Sequence, residues 1–151
     1  MISADHLMRL DVELGPVLDI GPVPGGYRRI IPITGGRFVG ERLRGTILPG
    51  GADWNLERPD GTVYLWARYT LQTDDGALIM ITNDGLQPGA RDMMAQILAG
   101  EEIDMTNWYA KTRPTFEVSH EKYAFLNNRI FVGNLTPQGP SAVAIDVFEI
   151  T

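Results

Sequence analysis

The 151-residue chain contains no cysteine, only two histidines, and no apolar run approaching the ~20 residues of a membrane-spanning helix. Without cysteine there is no disulfide framework, no thiolate metal ligand and no cysteine nucleophile. His6 and His120 stand in unrelated contexts, so neither a zinc site nor a serine triad with a histidine base can be assembled from them. A basic face is missing too: the formal charge is −6, and a binder of phosphate backbones needs cations to displace counterions. The opening MISADHLMRLDVEL has no unbroken apolar stretch behind a basic start, so it does not read as a secretory signal. These absences predict a cytoplasmic protein with no nucleic-acid partner, no membrane partner, no metal and no cofactor.

By length the chain is a single domain over residues 1–151, large enough to bury roughly 70% of the surface its unfolded form exposes. Its cations are unevenly typed: Lys111 and Lys122 are the only lysines, and the rest are arginine, the cation suited to fixed bidentate contacts. Met8, Leu10, Val12 and Leu14 alternate with Arg9, Asp11 and Glu13, a period of two that predicts a half-buried strand. Further extended segments are expected at Tyr27 to Ile33, Arg37 to Val39, Glu41 to Leu48 and Ala52 to Glu57. Asp60-Gly61 is a hairpin signal leading into the longest strand, Thr62 to Thr73, and Asp74-Asp75-Gly76 turns the chain into Ala77 to Asn83. Asn107 to Val118 is extended again, Tyr123 to Leu126 leads to an Asn127-Asn128 turn, and Arg129 to Gly133 and Ala142 to Ile150 close the chain. The single helix candidate is Ala90 to Ala99, with Met93, Met94, Ile97 and Leu98 on one face and Gly100 to end it.

About nine or ten strands and one short helix place the chain in the all-β class, as a sandwich or a barrel. Closure removes exposed edges, and the barrel is favoured because Tyr64, Trp66 and Arg68, on one face of the long strand, call for a shared interior with room for polar groups. The reading is therefore a closed or nearly closed, mainly antiparallel barrel of about 8–10 strands.

Several ordered motifs carry a resemblance. Gly35-Gly36-Arg37-Phe38-x-Gly40, Leu48 to Trp54 (LPGGADW), Arg58-x-Asp60-Gly61, Ala67-Arg68-Tyr69-Thr70 and Thr73 to Ala77 (TDDGA) are followed by Arg113-Pro114-x-Phe116-Glu117, Tyr123-x-x-Leu126-Asn127 and Phe131-Val132-Gly133. In these the chain resembles the family catalogued as domain of unknown function 3237, also called uncharacterised protein family 0311. The resemblance implies a compact β-barrel, similar in shape to lipocalin-like and allene-oxide-cyclase-like barrels, and no agreed activity. It also implies an acidic residue where this chain has Trp66, an exchange that would make the cavity more aromatic.

The candidate site follows from residue chemistry. The glycine-rich loops lack the Lys-Ser/Thr of a phosphate loop, and their glycines are explained by the positive φ of hairpins. The acidic turns lack the alternating oxygen ligands of a calcium loop. A lumen-facing Arg68 must be paired or must meet an anionic ligand, and Asp53 is the expected partner. Trp54, Tyr64, Trp66 and Trp108 offer stacking surfaces for an aromatic ligand, although aromatics are also ordinary core residues. With no nucleophile in view, catalysis would be cofactor-free proton chemistry: Asp53 as base, Tyr69 or Tyr109 as acid, Arg68 or Arg113 holding an enolate-like oxygen.

Three functions stay open on these grounds. The first is a barrel binding a small hydrophobic or aromatic, anionic or carbonyl-bearing molecule, as a lyase, isomerase or cyclase acting on an aromatic or enone-type substrate. The second is a carrier or sensor of a hydrophobic ligand, and the third a structural barrel with a filled core. A homodimer or higher homo-oligomer is compatible with all three.

Overall fold

Alternation of buried and exposed residues sets the wall of the molecule, and a computed structural model describes all residues from Met1 to Thr151. Ten strands form: β1 (Ala4–Leu14), β2 (Leu18–Val23), β3 (Gly26–Val39), β4 (Arg44–Ile47), β5 (Gly51–Glu57), β6 (Val63–Thr73), β7 (Leu78–Gln87), β8 (Lys111–Val118), β9 (Phe131–Pro137) and β10 (Ala142–Ile150). All of their ladders are antiparallel. The sheet runs β1-β10-β9-β8-β7-β6, passes through β5 and β4 to β3, and returns to β1, closing an eight-strand barrel. β4 and β5 share one place in the wall, and β2 extends the line of β1 along β3.

The two extended segments expected at Tyr27 to Ile33 and Arg37 to Val39 are one continuous strand, β3. It bends through Gly35-Gly36, and Gly36 has a φ of 132°. A Cβ at Gly36 would collide with the carbonyl oxygen of Asp11 on β1, so only glycine lets the two strands meet there.

Helix α1 (Ala90–Leu98) forms where the 3.6-residue spacing of Ala90, Met94 and Ile97 gives an apolar stripe. Ala90 and Met94 pack on Val63 and Leu65, so α1 covers the end of the barrel at which β6 begins. Arg91 fixes the helix by donating to the Glu57 carboxylate at 3.0 Å and to the carbonyls of Arg58 and Pro59 at 3.3 and 3.0 Å.

Tyr123 to Leu126, the run leading to the expected Asn127-Asn128 turn, lies within a 3₁₀ helix, Glu121–Asn127. Its short i, i+3 repeat turns Tyr123 and Leu126 together into the opposite end of the barrel, an arrangement a period of two does not allow. β8 likewise starts at Lys111 and not at Asn107, because residues 99–110 form the connection that returns from α1.

That opposite end is filled. Phe38, Leu71, Ile79, Ile81, Phe116 and Phe131 belong to a cluster of 19 buried residues, with Phe116 and Phe131 edge to face at 5.2 Å. No helix of the chain is long and apolar enough to cross a membrane.

Candidate functional site

Inside the α1 end lies a cavity of about 100 Å³. Its position follows from strand parity. On β6 the inward residues are Val63, Leu65, Ala67, Tyr69 and Leu71, whereas Tyr64, Trp66 and Arg68 point outward. This corrects the expectation that the polar, aromatic face of the long strand lines the lumen. The physical reason is that the lower barrel is a packed apolar core, and β6 contributes the face that continues into it.

The same parity places polar side chains in the cavity wall. Asp53 stands opposite Ala67, and Ala67 opposite Asn83. Gly85 stands opposite Leu65 on one side and Thr112 on the other, and Thr112 opposite Gly133. Small residues thus alternate with polar ones around the wall, which leaves the space that Asn55, Asn83, Gln87, Thr112 and Tyr69 face.

Six atoms of these five side chains are buried without a protein partner: both amide atoms of Asn55, the hydroxyls of Tyr69 and Thr112, Oδ1 of Asn83 and Nε2 of Gln87. Each such atom costs about 1–3 kcal/mol when nothing answers it. Native interiors leave few groups in this state, so a set gathered around one cavity marks a place where water or a ligand completes the bonding.

Asp53 is the ionisable group at the centre of this wall. The β5–β6 ladder lacks its pairings between Asp53 and Leu56, and the side chains repair the gap. The Trp66 backbone N–H donates to Asp53 Oδ1 at 2.8 Å, and Arg28 donates to the Trp54 carbonyl at 2.6 Å. The residue is half-buried, its free surface facing the cavity. Burial pushes its carboxyl from 3.8 up to about 6, against the opposing pull of the Trp66 N–H, the nearby Asn55 amide and the Arg28 charge, with Asp84 adding to the rise. The Asn55 amide leans on the carboxylate without completing a hydrogen bond. Tyr69 is shifted upward, first by burial and then by the charge of Asp53, so its phenol stays protonated and can donate.

The remaining site candidates divide cleanly. Trp108 reaches the cavity and donates its indole N–H to the Leu135 carbonyl at 2.7 Å. Arg68 does not meet Asp53; it binds Asp84 at 2.9 Å on the outer wall and lies against the Trp66 ring. Trp54 and Trp66 meet edge to face at 6.4 Å on that same outer surface, beside Tyr64. Trp66 is 38% exposed and does not line the cavity, so, contrary to expectation, it does not make the cavity more aromatic. Tyr109 is 49% exposed, and Arg113 is an outward residue of β8 facing Asp84 across the ladder. Of the nine candidates the cavity therefore brings together Asp53, Tyr69 and Trp108.

Asn55, Asn83, Gln87 and Thr112 were missed, though β7 carries the signal for two of them. Ile79, Ile81, Asn83, Gly85 and Gln87 share one parity, so amides continue a face begun by two isoleucines. No three of the His, Asp and Glu side chains group closely enough to hold a metal ion.

A model of a family described as a protein of unknown function, DUF3237, matches residues 2–150. The chain belongs to this family. A family protein of Rhodopseudomonas palustris, RPA1785, is 35% identical over 149 residues, covering 99% of this chain and 97% of that one. Its crystal structure superposes with a TM-score of 0.91, covering 100% and 99% of the two chains. A β-barrel like protein of Acinetobacter baumannii, 38% identical, gives 0.86 over 100% and 97%. The hydroalkoxylation enzyme phnH of Penicillium herquei is 26% identical over 126 residues, 83% of this chain and 69% of phnH. An enzyme structure from the same fungus shares the fold, with a TM-score of 0.69 at 22% identity over 97% and 94%. The segment Leu48 to Trp54, part of the family resemblance, is the one that carries Asp53 into the cavity wall.

Proposed function

We propose that this family member is a cofactor-independent enzyme that moves protons on a small carbonyl-bearing substrate, as an isomerase, cyclase or lyase, with Asp53 as the base. The observation that carries the reading is the single carboxyl, raised to about 6, set among six unpartnered polar atoms inside an otherwise apolar cavity. A base is most effective when its pKa lies near the working pH, which burial achieves for an aspartate.

The kinship with a hydroalkoxylation enzyme supports this class of chemistry. Addition of an alcohol O–H across the double bond of an enone needs three services. Asp53 takes the hydroxyl proton as the oxygen bonds to the β-carbon, and the double-bond electrons pass to the carbonyl oxygen as an enolate. The Tyr69 phenol donates a hydrogen bond to that oxygen. Asp53 then returns the proton to the α-carbon, so atoms balance without a co-reactant. Run in reverse, the same steps constitute an elimination. The other cavity groups, Asn55, Asn83, Gln87, Thr112 and Trp108, hold the substrate's polar edge and ring.

The test is turnover of a panel of hydroxyl-bearing enones by the intact protein and by Asp53→Asn. The variant keeps the acceptor for the Trp66 N–H and should stay folded, while kcat/KM falls at least 10²-fold. Equal turnover by both proteins removes Asp53 from the chemistry. Tight binding with no turnover by either would make the barrel a carrier.

A further inference from the structure

The cavity has two unlike walls. Asp53 and Asn55 on β5, Tyr69 on β6, Asn83 and Gln87 on β7 and Thr112 on β8 form one side. Val12, Ile33, Val143 and Ile145, from β1, β3 and β10, form the other, with no polar side chain among them. Resting on the proposed function, which supplies the site, we infer that the cavity selects an uncharged ligand whose hydroxyl or carbonyl groups lie along one edge of an apolar body.

The argument is one of complementarity. No lysine, arginine or histidine lines the cavity, so an anionic group would be desolvated without a counter-charge and would face the Asp53 carboxylate. A cation finds the Asp53 carboxylate to pair with, and what counts against it is the rest of the wall. Among the unpartnered atoms are N–H donors on Asn55 and Gln87 as well as acceptor oxygens on Asn55 and Asn83. An ammonium brings only donors and a carboxylate only acceptors, so each leaves half of the wall unanswered. Hydroxyl groups bring both, and a hydroxyl beside a carbonyl answers the whole edge. Discrimination of this kind is strong, because a mismatched ligand strands buried polar atoms.

Matched probes on the full chain at pH 7.5, each with both polar groups on one edge of the ring, test the inference: 3-hydroxyacetophenone as the neutral member, 3-hydroxybenzoate as the anion and 3-(2-aminoethyl)phenol as the cation. Calorimetric titration should show the neutral probe binding at least tenfold more tightly than either ion. A charged probe that binds as well or better overturns the charge rule while leaving Asp53-dependent turnover of enones, and so the proposed function, intact. Loss of that turnover dependence sinks the function and not the binding order.

A second measurement needs no ligand. Asn55→Leu and Asn83→Leu replace unpartnered amides by apolar groups of similar size, so each should raise the melting temperature of the free protein while weakening the neutral probe at least tenfold. A fall in melting temperature, or an unchanged affinity, contradicts a wall built for a ligand. Silence of all three probes overturns the inference as well.

Discussion

At the end of the barrel closed by the 3₁₀ helix, every buried polar side chain is answered. The buried Tyr123 hydroxyl donates to both oxygens of Asp75 at 2.9 Å, and the buried Thr73 hydroxyl also donates to Asp75, whose carboxylate is itself exposed. Those hydroxyls hold the Asp75 carboxyl down at about 2, Thr73 contributing most. At the end covered by α1, the same strands carry six polar atoms without partners and an aspartate pushed the opposite way. One sequence thus solves the same packing problem twice, once for stability and once at stability's expense. Local departures from packing rules of this kind are where function is expected.

The contrast breaks most sharply at Phe116. Its ring is 6% exposed and packs edge to face on Phe131 within the filled end. Phe116→Ala should cost about 3–5 kcal/mol in denaturant unfolding, through lost transfer energy and the cavity left behind. A loss below about 1 kcal/mol would mean that the filled end is as loosely packed as the cavity end.

Asp53 gives a smaller effect with a distinctive pH signature. Its folded carboxyl titrates near 6, above its ordinary value of 3.8. Between those values the folded chain holds a proton that the unfolded chain releases, so stability falls as pH rises through the window and the penalty is complete above it. Asp53→Asn removes the ionisation and should be the more stable protein by about 1–2 kcal/mol at pH 7.5, after allowance for screening by cavity water. At pH 4 the advantage should have vanished. An advantage that instead grows on acidification would contradict a buried, raised carboxyl.

How much of this was legible in the sequence depends on what each residue had to settle. The family, the barrel, the turns and the α1 helix were legible because period and turn chemistry act locally. The inward face of β6 was not, since Val63 to Leu71 and Tyr64 to Thr70 alternate equally well and parity alone names no inside. Only the neighbours decide: the Phe38, Ile79 and Phe116 core claims the face that carries Leu71. Asp53 and Tyr69 were found for their chemistry, while Asn83 closed the expected strand and Gln87 lay beyond it, although β7 runs on to Gln87. The 3₁₀ helix escaped because Tyr123 and Leu126 bury at a spacing of three within too few residues to show a period.

The misplaced residue yields the smallest and cleanest prediction. Had Arg68 been buried against Asp53, its removal would strand a charge and cost several kcal/mol. On the outer wall it binds Asp84 at 2.9 Å, with the two side chains 30% and 25% exposed and the guanidinium 4.7 Å from the centre of the Trp66 ring. Water reaches both members of the pair, so screening and side-chain entropy offset most of the attraction. Arg68→Ala should therefore cost no more than about 1 kcal/mol, part of it from lost packing on Trp66. Turnover and neutral-probe affinity should stay within twofold of the parent, because no atom of Arg68 lines the cavity. A large loss of activity without a loss of stability would tie the outer cluster to the cavity through the β5–β6 gap. The Trp66 N–H that holds Asp53 lies in that gap, so the residue to follow next would be Trp66 itself.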